Sequence, residues 1–179
     1  MSRYHPLLVI LHWLSALLII TTFLLGVLAL AEQPNTQEKI IPLAVHSALG
    51  VGILLVTVIR LFVRWVTLKP LRKVRNPLSK PKPLIVTMAG PVQSLLYLFT
   101  FLMSLTGIGL TLQSGALTPS GLVLPADFYD FPLRTAHGTL STALFMLVVL
   151  HLLTWVYFQF LRGENALAWM WFKKRKPPT

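Results

Sequence analysis

Residues 135–161 read TAHGTLSTALFMLVVLHLLTWVYFQFL, 27 positions without an Asp, Glu, Lys or Arg. A helix needs about 20 apolar residues to cross a hydrocarbon core of about 30 Å, so this stretch is long enough to span a bilayer. It also carries His137 and His151, 14 positions apart. At 3.6 residues per turn they return to within ~40° of one face and lie about 21 Å apart along the axis. Two imidazoles on one face, one near each membrane surface, ask what stands opposite them.

Three more runs of the same kind precede it. Residues 7–31 contain 25 positions without a charge, residues 43–59 contain 17, and residues 84–112 contain 29. The second extends through Arg60 and Arg64 to Trp65, because long arginines near a helix end reach the headgroups. Membrane β-strands would need alternating segments of about ten residues, and none of these runs alternates. Composition agrees: 55% of the 179 residues are hydrophobic and 12% charged, against about a quarter charged in a soluble domain. The expected fold is all-α, an integral membrane four-helix bundle in a single domain, residues 1–179, with spans at about 7–31, 42–65, 84–112 and 135–161. Ala29-Leu30-Ala31 has the small-x-small pattern of a signal-peptidase site, but a secretory apolar region is about 7–15 residues long. The first run is therefore read as a helix that stays.

The formal charge of +11 first raises nucleic acid or anionic lipid as partners. Sorting by loop removes the first. Arg3, Arg60, Arg64, the 66–83 loop (Lys69, Arg72, Lys73, Arg75, Lys80, Lys82) and the tail (Arg162, Lys173, Lys174, Arg175, Lys176) supply fourteen cations against Glu164 alone. The other two loops hold Lys39 and Arg134 against Glu32, Glu38, Asp127 and Asp130. One side carries +13 and the other −2, which recovers the total of +11. The positive-inside rule then places both termini in the cytoplasm, and topology accounts for the charge without nucleic acid. The inner loop is rich in Pro and Lys, a stiff extended link. The 113–134 segment, with Gly115, Pro119, Gly121 and Pro125, is expected to hold a short amphipathic piece around 127–131.

Ionisable residues inside spans mark function. His12, His46, His137 and His151 lie in the spans, and His5 precedes them as a solvated terminal residue. No Asp or Glu accompanies them, which argues against a proton relay or carrier. The absence of Cys removes disulfides, thiolate zinc, iron–sulfur clusters and covalent haem attachment. Orientation assigns the depths. His12 enters from the cytoplasm and lies in the inner leaflet, whereas His46 enters from outside and lies in the outer one. Only His12 with His151 and His46 with His137 share a level. Two ligands per level in a bundle suit two bis-His b haems, which leave no open iron position and favour electron transfer. A zinc or dinuclear site would want three or four ligands at one depth. Gly50, Gly52, Gly107, Gly109 and Gly138 cluster where a porphyrin needs room, a pattern that close helix packing in lipid also produces. Arg3, Arg60 and Arg64 are candidate partners for inner propionates, Lys39 and Arg134 for outer ones. The tryptophans Trp13, Trp65, Trp155, Trp169 and Trp171 read as interfacial anchors or packing residues.

His12-Trp13, His46 with Gly50 and Arg60, and His137-Gly138 followed by His151 resemble the bacterial cytochrome b561 family over nearly the whole chain. The resemblance implies a small dihaem b cytochrome of the bacterial inner membrane. Its best-understood type resembles a superoxide:ubiquinone oxidoreductase, oxidising periplasmic superoxide and passing electrons inward to ubiquinone. Many such relatives carry a His four residues before a Tyr in helix three. Here Gln93 precedes Tyr97; an amide hydrogen-bonds, but neither takes a proton nor readily ligates iron. The resemblance makes Lys39, Arg134 and Gln93 candidate substrate residues, with Thr57, Tyr97 and Gln159 as further polar candidates near quinone and Gln113 near an external site. Dihaem subunits serving a separate dehydrogenase or hydrogenase also resemble the chain, and their electrons come from a docked protein partner. A haem-free membrane anchor or small carrier is the third alternative.

Overall fold

Four long helices account for most of the computed structural model, which describes residues 5–31, 34–67, 84–115, 124–163 and 167–170. They are α1 (Pro6–Leu25), α2 (Ile40–Thr67), α3 (Leu84–Ser114) and α4 (Pro132–Val156). Single π-helical stretches extend α1 over Gly26–Ala31 and α4 over Tyr157–Leu161. With them, four segments are long and apolar enough to cross a membrane: Pro6–Ala31, Gln37–Thr67, Gly90–Ser114 and Pro132–Leu161. Every described element is helical, so the all-α expectation holds, as a four-helix bundle of membrane-spanning length. Arg3, residues 68–83 and the basic 173–176 run lie outside the described residues.

The helix starts have local causes. Pro6 and Pro132 stand in the first turns of α1 and α4, where the missing N–H would have had no intrahelical acceptor. His5, expected to be merely solvated, is exposed and caps α1, its Nδ1 accepting from the Leu7 N–H at 3.3 Å. Pro91 lies inside α3 and removes one N–H from the ladder. A short 3-10 turn, Phe128–Asp130, leads into α4. Phe128 is buried there with Leu110 and Leu124, and this small apolar cluster docks the segment before α4 on the bundle.

Large apolar side chains remain exposed along all four helices, among them Leu17, Leu28, Leu55, Phe62, Leu112, Met146 and Phe160. In water such a surface would be untenable; in lipid it is the solvent-facing side. Several hydroxyls bond within their own helices, as when Ser15, Ser104 and Thr154 donate to the carbonyls of Leu11, Thr100 and Leu150. This answers the bilayer's demand that polar groups find internal partners. Extensive backbone contacts run α1 on α2, α2 on α3 and α3 on α4. Between the described residues of α4 and those of α1 or α2 the backbones approach much less closely. Side chains bridge that wider interior space, and the histidines are among them.

Candidate haem-binding site

Two pairs of imidazoles meet across this space. His12 of α1 and His151 of α4 have ring centroids 6.2 Å apart with planes at 67°. His46 of α2 and His137 of α4 repeat the arrangement at 6.2 Å and 69°. All four rings are half-buried. Because α4 is uninterrupted from Pro132 to Val156, the two levels are separated by about 21 Å of helix rise. At an intermediate depth Phe23 of α1 stacks on Phe145 of α4, centroids 5.1 Å apart and planes at 7°.

The spacing within each pair has a chemical meaning. An imidazole nitrogen binds a first-row metal at about 2 Å, so two rings on opposite sides of one ion stand with centroids about 6 Å apart. Among the described residues no three side chains of His, Cys, Asp or Glu converge on one point. Each level thus offers two nitrogens, which suits a metal whose remaining positions are supplied by its own macrocycle.

Backbone close to the rings supports the fit at the outer level. A Cβ on Gly26 would stand 3.1 Å from His46 Cε1, and one on Gly107 would stand 3.1 Å from His137 Cε1. Each of these imidazoles therefore packs tightly on a glycine, where a side chain would require the ring to shift by a few tenths of an ångström. Gly50 and Gly52 have nothing within 4 Å of an added Cβ, so open space rather than a packed neighbour faces them. Gly109 and Gly138 are ordinary packing contacts, to Leu133 Cδ1 at 3.2 Å and to Arg134 Nη1 at 3.3 Å. Gly26 escaped the sequence reading, being one small residue in an apolar run with no neighbouring motif.

Hydrogen bonding sets the imidazole tautomers. Thr106 Oγ1 lies 3.1 Å from His137 Nδ1, and its one hydrogen goes to the carbonyl of Leu102 at 2.9 Å, shared with that of Met103 at 3.1 Å. The hydroxyl oxygen therefore accepts from His137 Nδ1–H, which leaves the Nε2 lone pair available to a metal. At His12 the sense is opposite. Arg60 Nη2 is 3.0 Å from His12 Nδ1, and a guanidinium only donates, so Nδ1 accepts. His46 Nδ1 is buried and faces the backbone carbonyl of Thr22 on α1.

Charged residues flank each level differently. Arg60 reaches from His12 to the face of Tyr97, 5.3 Å from the ring centroid. Arg64, Gln93 and Tyr97 line one cavity between α2 and α3 at the same end. Near the outer pair, Lys39 is only 3% exposed. Its Nζ donates to Asn35 Oδ1 and to Tyr129 Oη, both at 3.2 Å. Tyr129 also packs against the Arg134 guanidinium, 5.9 Å from the ring centroid, so one tyrosine gathers both cations. Of the other polar candidates, Thr57 is buried and Gln113 exposed. Gln159 Oε1 accepts from the Leu167 N–H at 3.2 Å and so holds the segment Leu167–Met170. That segment returns to α1, where Trp13 Nε1 donates to the Met170 carbonyl at 3.0 Å.

Residues 3–173 match the sequence family described as prokaryotic cytochrome b561. The chain belongs to the prokaryotic cytochrome b561 family. No curated protein matches it. As a member of that family it is a multi-pass bacterial membrane protein that uses haem b for transmembrane electron transfer. For a b561 cytochrome the paired rings, the glycines beside them and the Nε2 that His137 leaves available are a donor set of the right chemistry. The imidazoles would hold the haem through its iron, with no thioether link to the porphyrin, in keeping with a sequence that has no Cys.

Proposed function

We propose that this b561 cytochrome binds two b haems, His12 with His151 at the inner level and His46 with His137 at the outer level. The observation that carries the reading is the repetition of one 6.2 Å ring spacing on two helix pairs. Haem at both levels supplies one-electron chemistry on either side of the bilayer centre. Arg60 and Arg64 are the propionate partners at the inner level, with Arg3, outside the described residues, as a third; Lys39 and Arg134 serve the outer level. The charge asymmetry of the loops supports cytoplasmic termini and residence in the bacterial inner membrane.

The donor on this reading is periplasmic superoxide and the acceptor ubiquinone. Oxidation of superoxide to oxygen releases one electron and needs no proton, which suits an outer level with no acid in the spans. Two superoxide anions, two protons and one quinone give two oxygen molecules and one quinol. Lys39 and Arg134, gathered on Tyr129, provide a local positive field for the anion on a face whose loops are otherwise net acidic. The reaction needs no protein partner, unlike that of a subunit serving a dehydrogenase.

The test is a quantified reduced-minus-oxidised spectrum of the purified protein, expected to give two b haems per chain. One haem or none overturns the dihaem reading. Superoxide-dependent reduction of a short-chain ubiquinone by the protein alone tests the donor and acceptor, and its absence with both haems present favours a docked protein donor.

A further inference from the structure

Beyond the π-helical end of α4 lies Gly163, whose φ of +63° belongs to the left-handed region that favours glycine. The short 3-10 segment Leu167–Met170 then lies back against the bundle. A segment of this length satisfies few of its own backbone groups: its first N–H and last C=O have no partner within it. Both find one in a side chain. Gln159 Oε1 accepts from the Leu167 N–H at 3.2 Å, and Trp13 Nε1 donates to the Met170 carbonyl at 3.0 Å. One anchor belongs to the end of α4 and the other to α1.

These are the two helices that carry His12 and His151. Their backbones approach much less closely than those of α1 and α2 or of α3 and α4, so the tie across this seam is made by side chains and by the returning segment. Trp13 adjoins His12 in sequence, and the two rings meet edge to face with centroids 5.6 Å apart and planes at 66°. The indole thus touches the His12 ring while its N–H is committed to Met170. On the other helix, Arg60 reaches His12 Nδ1 at 3.0 Å, and Met170 lines a narrow cleft together with Leu8 and Arg60. His12 is therefore bracketed by Trp13 from its own helix and by Arg60 from α2, with Met170 against both. Inside a span water does not compete for an indole–carbonyl bond, which makes it a firmer tie than on a wetted surface.

We infer that Leu167–Met170 is a strap that clasps the inner ends of α1 and α4 and, through Trp13, fixes the His12 ring opposite His151. Trp13 and Gln159 are thereby positioning residues for the inner level. The inference rests on the reading that these two histidines hold a b haem, and adds what keeps their helices together around it. A strap released at either end leaves the seam free to part, so haem held across it escapes faster and its imidazole planes lose their fixed angle.

Trp13→Phe keeps an aromatic ring beside His12 but frees the Met170 end, whereas Gln159→Leu frees the Leu167 end from about two turns beyond His151. In each variant, purified with its haem, the amide hydrogens of the 167–170 stretch are expected to exchange faster by mass spectrometry. In the same samples the EPR signal of the oxidised inner haem, which responds to the angle between its imidazole planes, should shift. Haem transfer from that level to apomyoglobin should quicken by about fivefold, the worth of one hydrogen bond. The outer component should keep its signal and its transfer rate. The double variant should behave as either single one, because one freed end releases the strap. Faster exchange with an unmoved inner signal and transfer rate overturns the inference while leaving the haem ligands as proposed. Unchanged exchange in both variants overturns it as well, since the two anchors then hold nothing. Effects that add in the double variant give Trp13 a packing role of its own and overturn the route through it. A wild-type protein without an inner haem signal removes the reading underneath.

Discussion

The two histidine levels have the same ring spacing but are built from different materials. The outer pair is shaped by backbone: Gly26 and Gly107 stand against His46 and His137, and Thr106 holds the proton of His137 on Nδ1. The inner pair is shaped by charge, with Arg60 on His12 and Arg64 one turn further along α2. The outer His137 thus already has the tautomer an Nε2-bound metal requires. At the inner level Arg60 enforces the opposite tautomer on His12, so metal binding through Nε2 requires the guanidinium to turn away, toward the cavity or a propionate. One bundle brings two histidine pairs to the same spacing, once against glycine backbone and once beside arginine side chains.

The strongest way to break this comparison is to remove ligands. His46→Ala or His137→Ala should cost the outer haem alone, and His12→Ala or His151→Ala the inner one, each halving the haem-to-protein ratio from two to one. Loss of the same spectral component from His12→Ala and His46→Ala would refute the pairing. Next in size are Gly26→Leu and Gly107→Leu, which drive atoms into rings already 3.1 Å from an added Cβ. Overpacking of this kind costs about 1–3 kcal/mol, and outer-haem occupancy should fall while the inner component keeps its spectrum. A smaller and opposite test is Arg60→Gln. Removing a cation next to His12 should lower the inner midpoint potential by on the order of 50–100 mV at an effective dielectric constant of about 20, with Arg60→Lys close to wild type in a redox titration. The smallest expected effect is that of Thr106→Val. Losing one acceptor worth about 0.5–1.5 kcal/mol makes His137 less electron-donating and should raise the outer potential by a few tens of millivolts, leaving the inner unchanged.

Much of this was legible in residue order. Uncharged runs of helical length and one 14-residue interval are enough for four helices and two histidines on one face, because helix period and bilayer thickness leave little freedom. Loop charge supplied the depths, and with them which rings could meet. Neighbours from other helices were not legible. Gly26 falls in a π-helical stretch, Gly26–Ala31, whose register an α-helical wheel does not reproduce. Thr106 is one of several hydroxyls in α3 that bond back to their own helix, and nothing local distinguishes the one that also faces His137. Lys39 read as an external cation and is buried because the Phe128–Asp130 turn folds Tyr129 over it, a contact across 90 positions. Arg60 was read as a propionate partner; that it also touches His12 depends on the packing of α1 against α2.

Both pairs draw one member from α4. Neither ring pair exists while only α1, α2 and α3 have been made, however well those three have inserted. Synthesis proceeds at about 5–20 residues per second, so the membrane holds a three-helix intermediate for seconds in which His12 and His46 have no opposite number. On the dihaem proposal, haem acquisition at either level follows insertion of the fourth helix. The order in which this cytochrome is manufactured follows from where two histidines sit on one helix.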